Sequence, residues 1–359
     1  MSLQQCDGKT EYIVLDPDSP DADLIRRAGE ILREGGLVAF PTETVYGLGG
    51  DALNPAASEK IYAAKGRRSD NPLIVHIADM EHLVPIVREL PEKAVQLAEV
   101  WWPGPLTMIF HKTDLVPDET SGGLPTVAVR MPNHPVALAL IRAAGGYIAA
   151  PSANTSGRPS PTNAQHVAED LSGKIDMILD SGPVRIGLES TIVDFTEDVP
   201  VLLRPGYINI EMLRKILGEV RVDPGIRNGA AEKGVRPKAP GMRYRHYAPK
   251  ASLTIVEGPR ESVTGKINEL AAKAMDEGKK VGIIAADDTA SCYHASIVKD
   301  IGDRNTDKEI AQHLFSVLRE FDAENVDMIY SESFNTPRMG QAIMNRLLKA
   351  AGHKVLSVP

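Results

Sequence analysis

Through the first 222 residues, short runs of β-branched and apolar residues alternate with longer stretches that carry a helical period. Strands are predicted at 37–40, 73–77, 107–110, 126–131, 147–150, 177–180, 191–195 and 201–203. Helices are predicted at 21–34, 55–65, 91–101, 134–144, 162–171 and 209–217. Two helix starts are legible in the residues themselves. Asn54-Pro55 supplies a capping amide followed by proline at the first helical position, and Thr162-x-x-Gln165 reads as a capping box. So many strands with few tight-hairpin signals predict one large mixed sheet covered by helices.

Residues 223–250 break this rhythm: they have no periodicity and are rich in Gly, Pro, Arg and Lys. Beyond them the pattern tightens into strand 252–257, helix 260–277, strands 280–285 and 295–298, helix 307–321, strand 326–330, helix 338–351 and a last strand near 354–358. Thr306-x-x-Glu309 reads as a further capping box. The expected organisation is a large α/β domain over 1–222, a basic Gly/Pro-rich linker over 223–250 and a small Rossmann-like α/β domain over 251–359.

Charge sharpens this division. Residues 1–222 carry 20 basic and 30 acidic side chains and residues 251–359 carry 13 and 16, but 223–250 carry 7 and 2. A short basic stretch between acidic domains suits a local anion such as a phosphate, whereas the net charge of −8 speaks against broad contact with nucleic acid. The two cysteines, Cys6 and Cys292, lie far apart and form no metal-ligand pattern. With no apolar span long enough for a membrane and no leader pattern, the expectation is a soluble cytoplasmic protein.

Candidate chemistry gathers at strand ends. In Leu37-Val-Ala-Phe-Pro-Thr-Glu-Thr-Val-Tyr-Gly-Leu-Gly-Gly-Asp-Ala52, the residues Gly47, Gly49 and Ala52 formally match a dinucleotide fingerprint, with Asp70 at a plausible distance for a ribose. The match fails on context, because 41–46 separate the strand from Gly47 and the helix begins only at Asn54-Pro55. A glycine-rich turn is expected instead. If the segment is extended, Thr42 and Thr44 face one side and Glu43 the other. The run Lys65-Gly-Arg-Arg-Ser-Asp-Asn-Pro puts three cations in four residues at a helix end, an arrangement that an anion among them would stabilise. Strict alternation places Arg130 with Thr126 and Ala128, opposite Val127, Val129 and Met131. Dense hydroxyl and amide segments follow at 150–162 and in Gly187-Leu-Glu-Ser-Thr191, and Arg204 closes Leu202-Leu-Arg-Pro-Gly206.

Together, the strings FPTETVYGLGGDA, KGRRSDNPLIVHI, WPGPLT, TVAVRMPNHP, AAPSANTSGRPSPT, GLESTIVD, LLRPG and APGMRYRHYAP resemble the YrdC/Sua family of threonylcarbamoyl-AMP synthases in its two-domain form. The resemblance implies a YrdC-like twisted mixed sheet and a reaction: L-threonine and bicarbonate form a carbamate that attacks the α-phosphorus of ATP, releasing pyrophosphate. It implies magnesium as cofactor, but no identifiable metal ligands, and it implies downstream proteins that carry the threonylcarbamoyl group to tRNA, with direct tRNA contact optional. By the same resemblance Lys65 and Arg67 would be catalytic. Thr44, His76, Arg130, Ala150 and Ser190 would form the threonine pocket. ATP would be held by Arg67, Asn71, Thr126, Ser152, Ser160, Arg204, Tyr244 and Tyr247, with His246 beside them in a linker that acts as a lid. An RNA-binding or ribosome-associated module is the alternative reading, and a carbamoyltransferase or a nicotinamide dehydrogenase fits the residues less well.

Overall fold

The computed structural model describes residues 4–6, 10–228, 237–240, 247–334, 336 and 338–359. The chain divides into two compact units, the first made of Met1–Ser156, Ser160–Arg185 and Glu189–Arg243, the second of Gly157–Pro159, Ile186–Leu188 and Tyr244–Pro359.

The first unit is built on strands β1 (Gln4–Cys6), β2 (Thr10–Val14), β3 (Val38–Phe40), β4 (Gly47–Asp51), β5 (Ile74–His76), β6 (Leu106–His111), β7 (Thr126–Arg130), β8 (Ile148–Ala149), β9 (Met177–Asp180), β10 (Thr191–Asp194), β11 (Val201–Arg204) and β12 (Arg221–Val222). They form one mixed sheet in the order β1-β2-β9-β3-β4-β8-β5-β7-β6-β10-β11-β12. Every strand read from the pattern in this unit forms, with its ends within one residue of the reading. The helices form as read, and Asn54 caps Pro55–Lys65 by accepting from Ala56 N at 3.0 Å. A large core packs Leu97, Leu213, Val167 and Ile61 from four helices against Leu48, Val75, Met108 and Val129 of the sheet.

The glycine-rich run departs from expectation. It is not a turn but the central strand β4, antiparallel to both β3 and β8. The absence of side chains is what lets its neighbours close in. A Cβ on Gly49 would lie 2.9 Å from Ile148 Cγ2 and 3.2 Å from the Val38 carbonyl oxygen, so the glycines serve packing rather than phosphate binding. Two capping signals also resolve differently. Helix Ala164–Leu171 is capped by Asn163, whose Oδ1 accepts from His166 N at 2.9 Å, while Thr162 turns toward the His166 ring. Thr306 precedes Asp307–Ala323 without a side-chain cap bond, because its hydroxyl lies toward Asp303 and Glu309 accepts from Asp303 N.

Part of the stretch read as a linker is fixed to the first unit. Lys238 Nζ donates to Asp194 Oδ2 at 2.8 Å, and Ala239 is buried among Ile74, Ile109, Ala128 and Ile192.

In the second unit β13 (Ser252–Glu257), β14 (Val281–Ala285), β15 (Ile297–Asp300), β16 (Met328–Glu332) and β17 (Val355–Ser357) form an all-parallel sheet in the order β15-β14-β16-β13-β17. Helices Arg260–Asp276, Asp307–Ala323 and Gly340–Ala350 connect them. Such a sheet, covered on both faces, requires continuous apolar strands, and Val281–Ala285 is buried at every position. Among the described residues, no helix is long and apolar enough to cross a membrane.

Candidate active site

One face of the first unit's sheet collects several of the polar residues singled out by sequence. Register carries the assignment: Arg130 pairs with His76 on β5 and with Thr107 on β6, while Ala128 pairs with Ile74 and Ile109. Paired residues share a face, so His76, Thr107, Thr126 and Arg130 stand on the side where Ile74, Ile109 and Ala128 pack. Ser190 joins them, its Oγ 2.8 Å from Thr107 Oγ1.

Arg204 reaches this face through an irregularity. Alternation along β11 from Val201 would turn it away, but the register shifts so that Arg204 pairs with Ile192 while Leu202 pairs with Val193. This extra residue, a β-bulge, restores Arg204 to the site face. There its guanidinium is fully engaged: Nε donates to Ser190 O at 3.0 Å, Nη2 to Ser190 Oγ at 3.1 Å and Nη1 to Pro240 O at 3.1 Å.

The loop between β3 and β4 supplies the next element. Thr42 Oγ1 donates to Val45 O at 2.7 Å and lies 2.9 Å from Thr44 Oγ1, so both hydroxyls do face one side. Glu43 points elsewhere, bringing its Oε1 to 2.7 Å from Arg130 Nη2. Both groups are buried, Glu43 at 3% exposure and Arg130 at 4%. The contact is an ion pair without hydrogen-bond alignment. Both Glu43 oxygens, Arg130 Nη2, the Asn71 Oδ1 and the His134 Nδ1 are buried with no hydrogen-bond partner among the described residues. Native proteins rarely bury polar atoms unsatisfied, so the Glu43 and Arg130 atoms call for a partner, from water or from a ligand. The sequence reading did not single out Glu43 as a site residue.

The cationic run separates into three roles. Gly66 takes the left-handed conformation (φ +63°) that ends helix Pro55–Lys65 and turns the chain. Lys65 is buried at 2% exposure, and its Nζ donates to the carbonyls of Ser152 and Asn154. Arg67, half-buried, donates to Asn71 O at 3.2 Å and Pro72 O at 3.0 Å. Arg68 is exposed and paired with Asp70, the residue that the dinucleotide reading would have needed. The hydroxyl loop is itself ordered: Ala150 N donates to Ile74 O at 2.8 Å, Ser152 bridges to Gly47, and Ser160 Oγ donates to the buried Glu189 at 2.5 Å. Tyr247 belongs to the second unit, where its ring stacks on Phe315 at 5.0 Å. Tyr244 and His246 lie outside the described residues.

His76 is held neutral. Burial first, and the Arg130 charge second, push it down to about 3, and burial lowers His134 to about 4. The folded protein therefore binds fewer protons than the unfolded chain below the ordinary histidine range. The stabilisation is complete above pH 6.5 and is lost progressively as pH falls toward 3. The urea midpoint is expected to drop between pH 7 and 5, and His76→Gln to flatten that drop; an unchanged slope would contradict it.

The Sua5–YciO–YrdC family model, described as telomere recombination, matches residues 30–206, and the threonylcarbamoyl-AMP synthase C-terminal domain matches 208–352. A threonylcarbamoyl-AMP synthase of Pyrococcus abyssi is 52% identical over 93% of this chain and 96% of its own length. One from Bacillus subtilis is 48% identical over 96% and 97%. The crystal structure of P. abyssi Sua5 complexed with L-threonine superposes with a TM-score of 0.91 at 50% identity, covering 97% of this chain and 99% of that one. These matches follow the synthase reading, not the RNA-binding alternative. Both the sheet bearing the Arg130 face and the parallel second unit are accounted for, and the chain belongs to the threonylcarbamoyl-AMP synthase family, in its two-domain form.

Proposed function

We propose that the protein condenses L-threonine, bicarbonate and ATP into threonylcarbamoyl-AMP and pyrophosphate, in the cytoplasm, for the modification of tRNA. The observation that carries this reading is the buried Arg130–Glu43 pair with its unsatisfied polar atoms, on the face that also holds His76, Ser190 and Arg204. Arg130 grips the threonine carboxylate, and Thr44, neutral His76, Ala150 and Ser190 shape the pocket around it. Asn71, Thr126, Ser152, Ser160 and Arg204 serve ATP. Lys65 and Arg67 stabilise the charge that builds on the phosphate and carbamate oxygens as the carbamate displaces pyrophosphate. Displacement at phosphorus asks mostly for positioning and charge stabilisation, which buried cations on fixed elements supply.

Magnesium fits as a companion of ATP. Among the described residues no three His, Cys, Asp or Glu side chains converge as a metal cage. That suits an ion held chiefly by phosphate oxygens and water, which would neutralise the triphosphate when bound. The product is a mixed anhydride, so a partner protein must accept the threonylcarbamoyl group and deliver it to an adenosine of tRNA; the synthase itself need not touch tRNA.

Pyrophosphate release from ATP and magnesium, with threonine and bicarbonate omitted in turn, tests the reading. Release that requires both co-substrates is expected. Release without threonine, or none under any condition, would overturn it.

A further inference from the structure

We propose that Glu43 is the receptor for the ammonium group of the amino-acid substrate, so that Arg130 and Glu43 together read a zwitterion. The inference rests on the proposed function and deepens it, since it says how the threonine pocket tells an amino acid from another hydroxylated carboxylic acid.

A buried ion pair with only a structural task needs its remaining lone pairs and protons bonded, because stripping water from both charges costs more than their attraction returns. Arg204, on the same face, meets that requirement with donations from all three of its nitrogens. The Glu43–Arg130 pair does not. Arg130 Nε reaches the Gly104 carbonyl at 3.4 Å, but its Nη2 and both Glu43 oxygens have no hydrogen-bond partner among the described residues. What is missing is chemically specific: N–H donors for a carboxylate, and an acceptor for a guanidinium, within one ion-pair distance of each other. An α-amino acid carries both on one carbon, an ammonium with three N–H groups and a carboxylate. An amine alone would leave Arg130 unsatisfied, and a carboxylic acid without the amine would leave Glu43 so.

The surroundings reinforce the assignment. Glu43 cannot swing away to find water, because Thr42 and Thr44 lock the loop and the residue is buried. The titratable neighbour that senses it, His134, is depressed by burial and stays neutral at physiological pH, so it offers Glu43 no competing cation. His76, beside Arg130 in register, is likewise neutral.

Calorimetric titration of the full chain with L-threonine and with its 2-hydroxy analogue, 2,3-dihydroxybutanoate, tests the assignment. The wild-type protein is expected to prefer threonine. Glu43→Gln should weaken threonine by at least about tenfold, the range of one charged hydrogen bond, and leave the analogue unchanged. Glu43→Asp, which withdraws the carboxylate by one methylene, should narrow the preference less, and it provides the readout if Glu43→Gln does not fold. An unchanged threonine-to-analogue ratio in a folded variant overturns the assignment while leaving the synthase reading standing. A wild-type protein that binds no threonine overturns both.

Discussion

Arg130→Met is expected to weaken threonine binding by about a hundredfold, the loss of a bidentate charged contact, and to destabilise the protein at the same time. The two effects have separate origins. The first is the loss of the only buried cation within ion-pair distance of Glu43 among the described residues, the one that the proposed function assigns to the threonine carboxylate. The second comes from Glu43, which would remain buried with no counter-ion; removing one partner of such a pair typically costs about 3–5 kcal/mol. A second substitution separates them. In the double variant Arg130→Met/Glu43→Gln, the stranded charge is gone, so most of the stability should return while threonine binding stays lost. Urea midpoints and threonine titrations on the four proteins read both quantities. Threonine affinity that survives Arg130→Met would place the carboxylate clamp elsewhere.

Lys65→Met is expected to cut pyrophosphate release at saturating substrates by about 10²–10³-fold, the usual effect of deleting one preorganised charge from a reacting centre. Methionine keeps the length and apolar stem of the side chain and removes only its charge and donors. Stability should fall by about 1–3 kcal/mol, since the carbonyls of Ser152 and Asn154 lose a donor in a buried setting. The threonine KM should change little, because the ammonium is directed at the 152–154 loop rather than at Arg130. Arg67→Ala should lower turnover as well but cost less stability than Lys65→Met: the bonds from its Nε and Nη2 go to carbonyls of its own loop, on a half-exposed surface. A Lys65→Met enzyme with normal turnover would remove the residue from the chemistry.

Local signals were legible wherever a side chain reports its own conformation. Asn54, Pro55 and Gly66 bracket a helix by capping chemistry, and Arg130 follows from strict alternation along β7. Legibility ended where conformation depends on a distant neighbour. The strand Gly47–Asp51 carries almost no pattern, because its glycines answer to Phe40 and Ile148 across the sheet. Arg204 faces the site only through a bulge whose position is set by β10. Glu43 stood in plain view between two threonines, yet its meaning depends on Arg130, which lies far away in sequence and comes within reach only through the sheet order β3-β4-β8-β5-β7. Much of the site therefore became readable through its resemblance to a family, and the missed carboxylate is a residue that no spacing rule could have joined to its partner.

The unsatisfied polar atoms around Arg130 also bear on how long the protein lasts. A fold that leaves buried donors and acceptors without partners stands below the stability its packing could support, and the ligand that completes them returns the difference through mass action. At a ligand concentration of about a hundred times Kd, that linkage adds about 2.7 kcal/mol to the folded state. Proteases that sample the unfolded chain would meet it correspondingly less often. The population of folded protein would then rise with the concentration of the ligand that completes the pair.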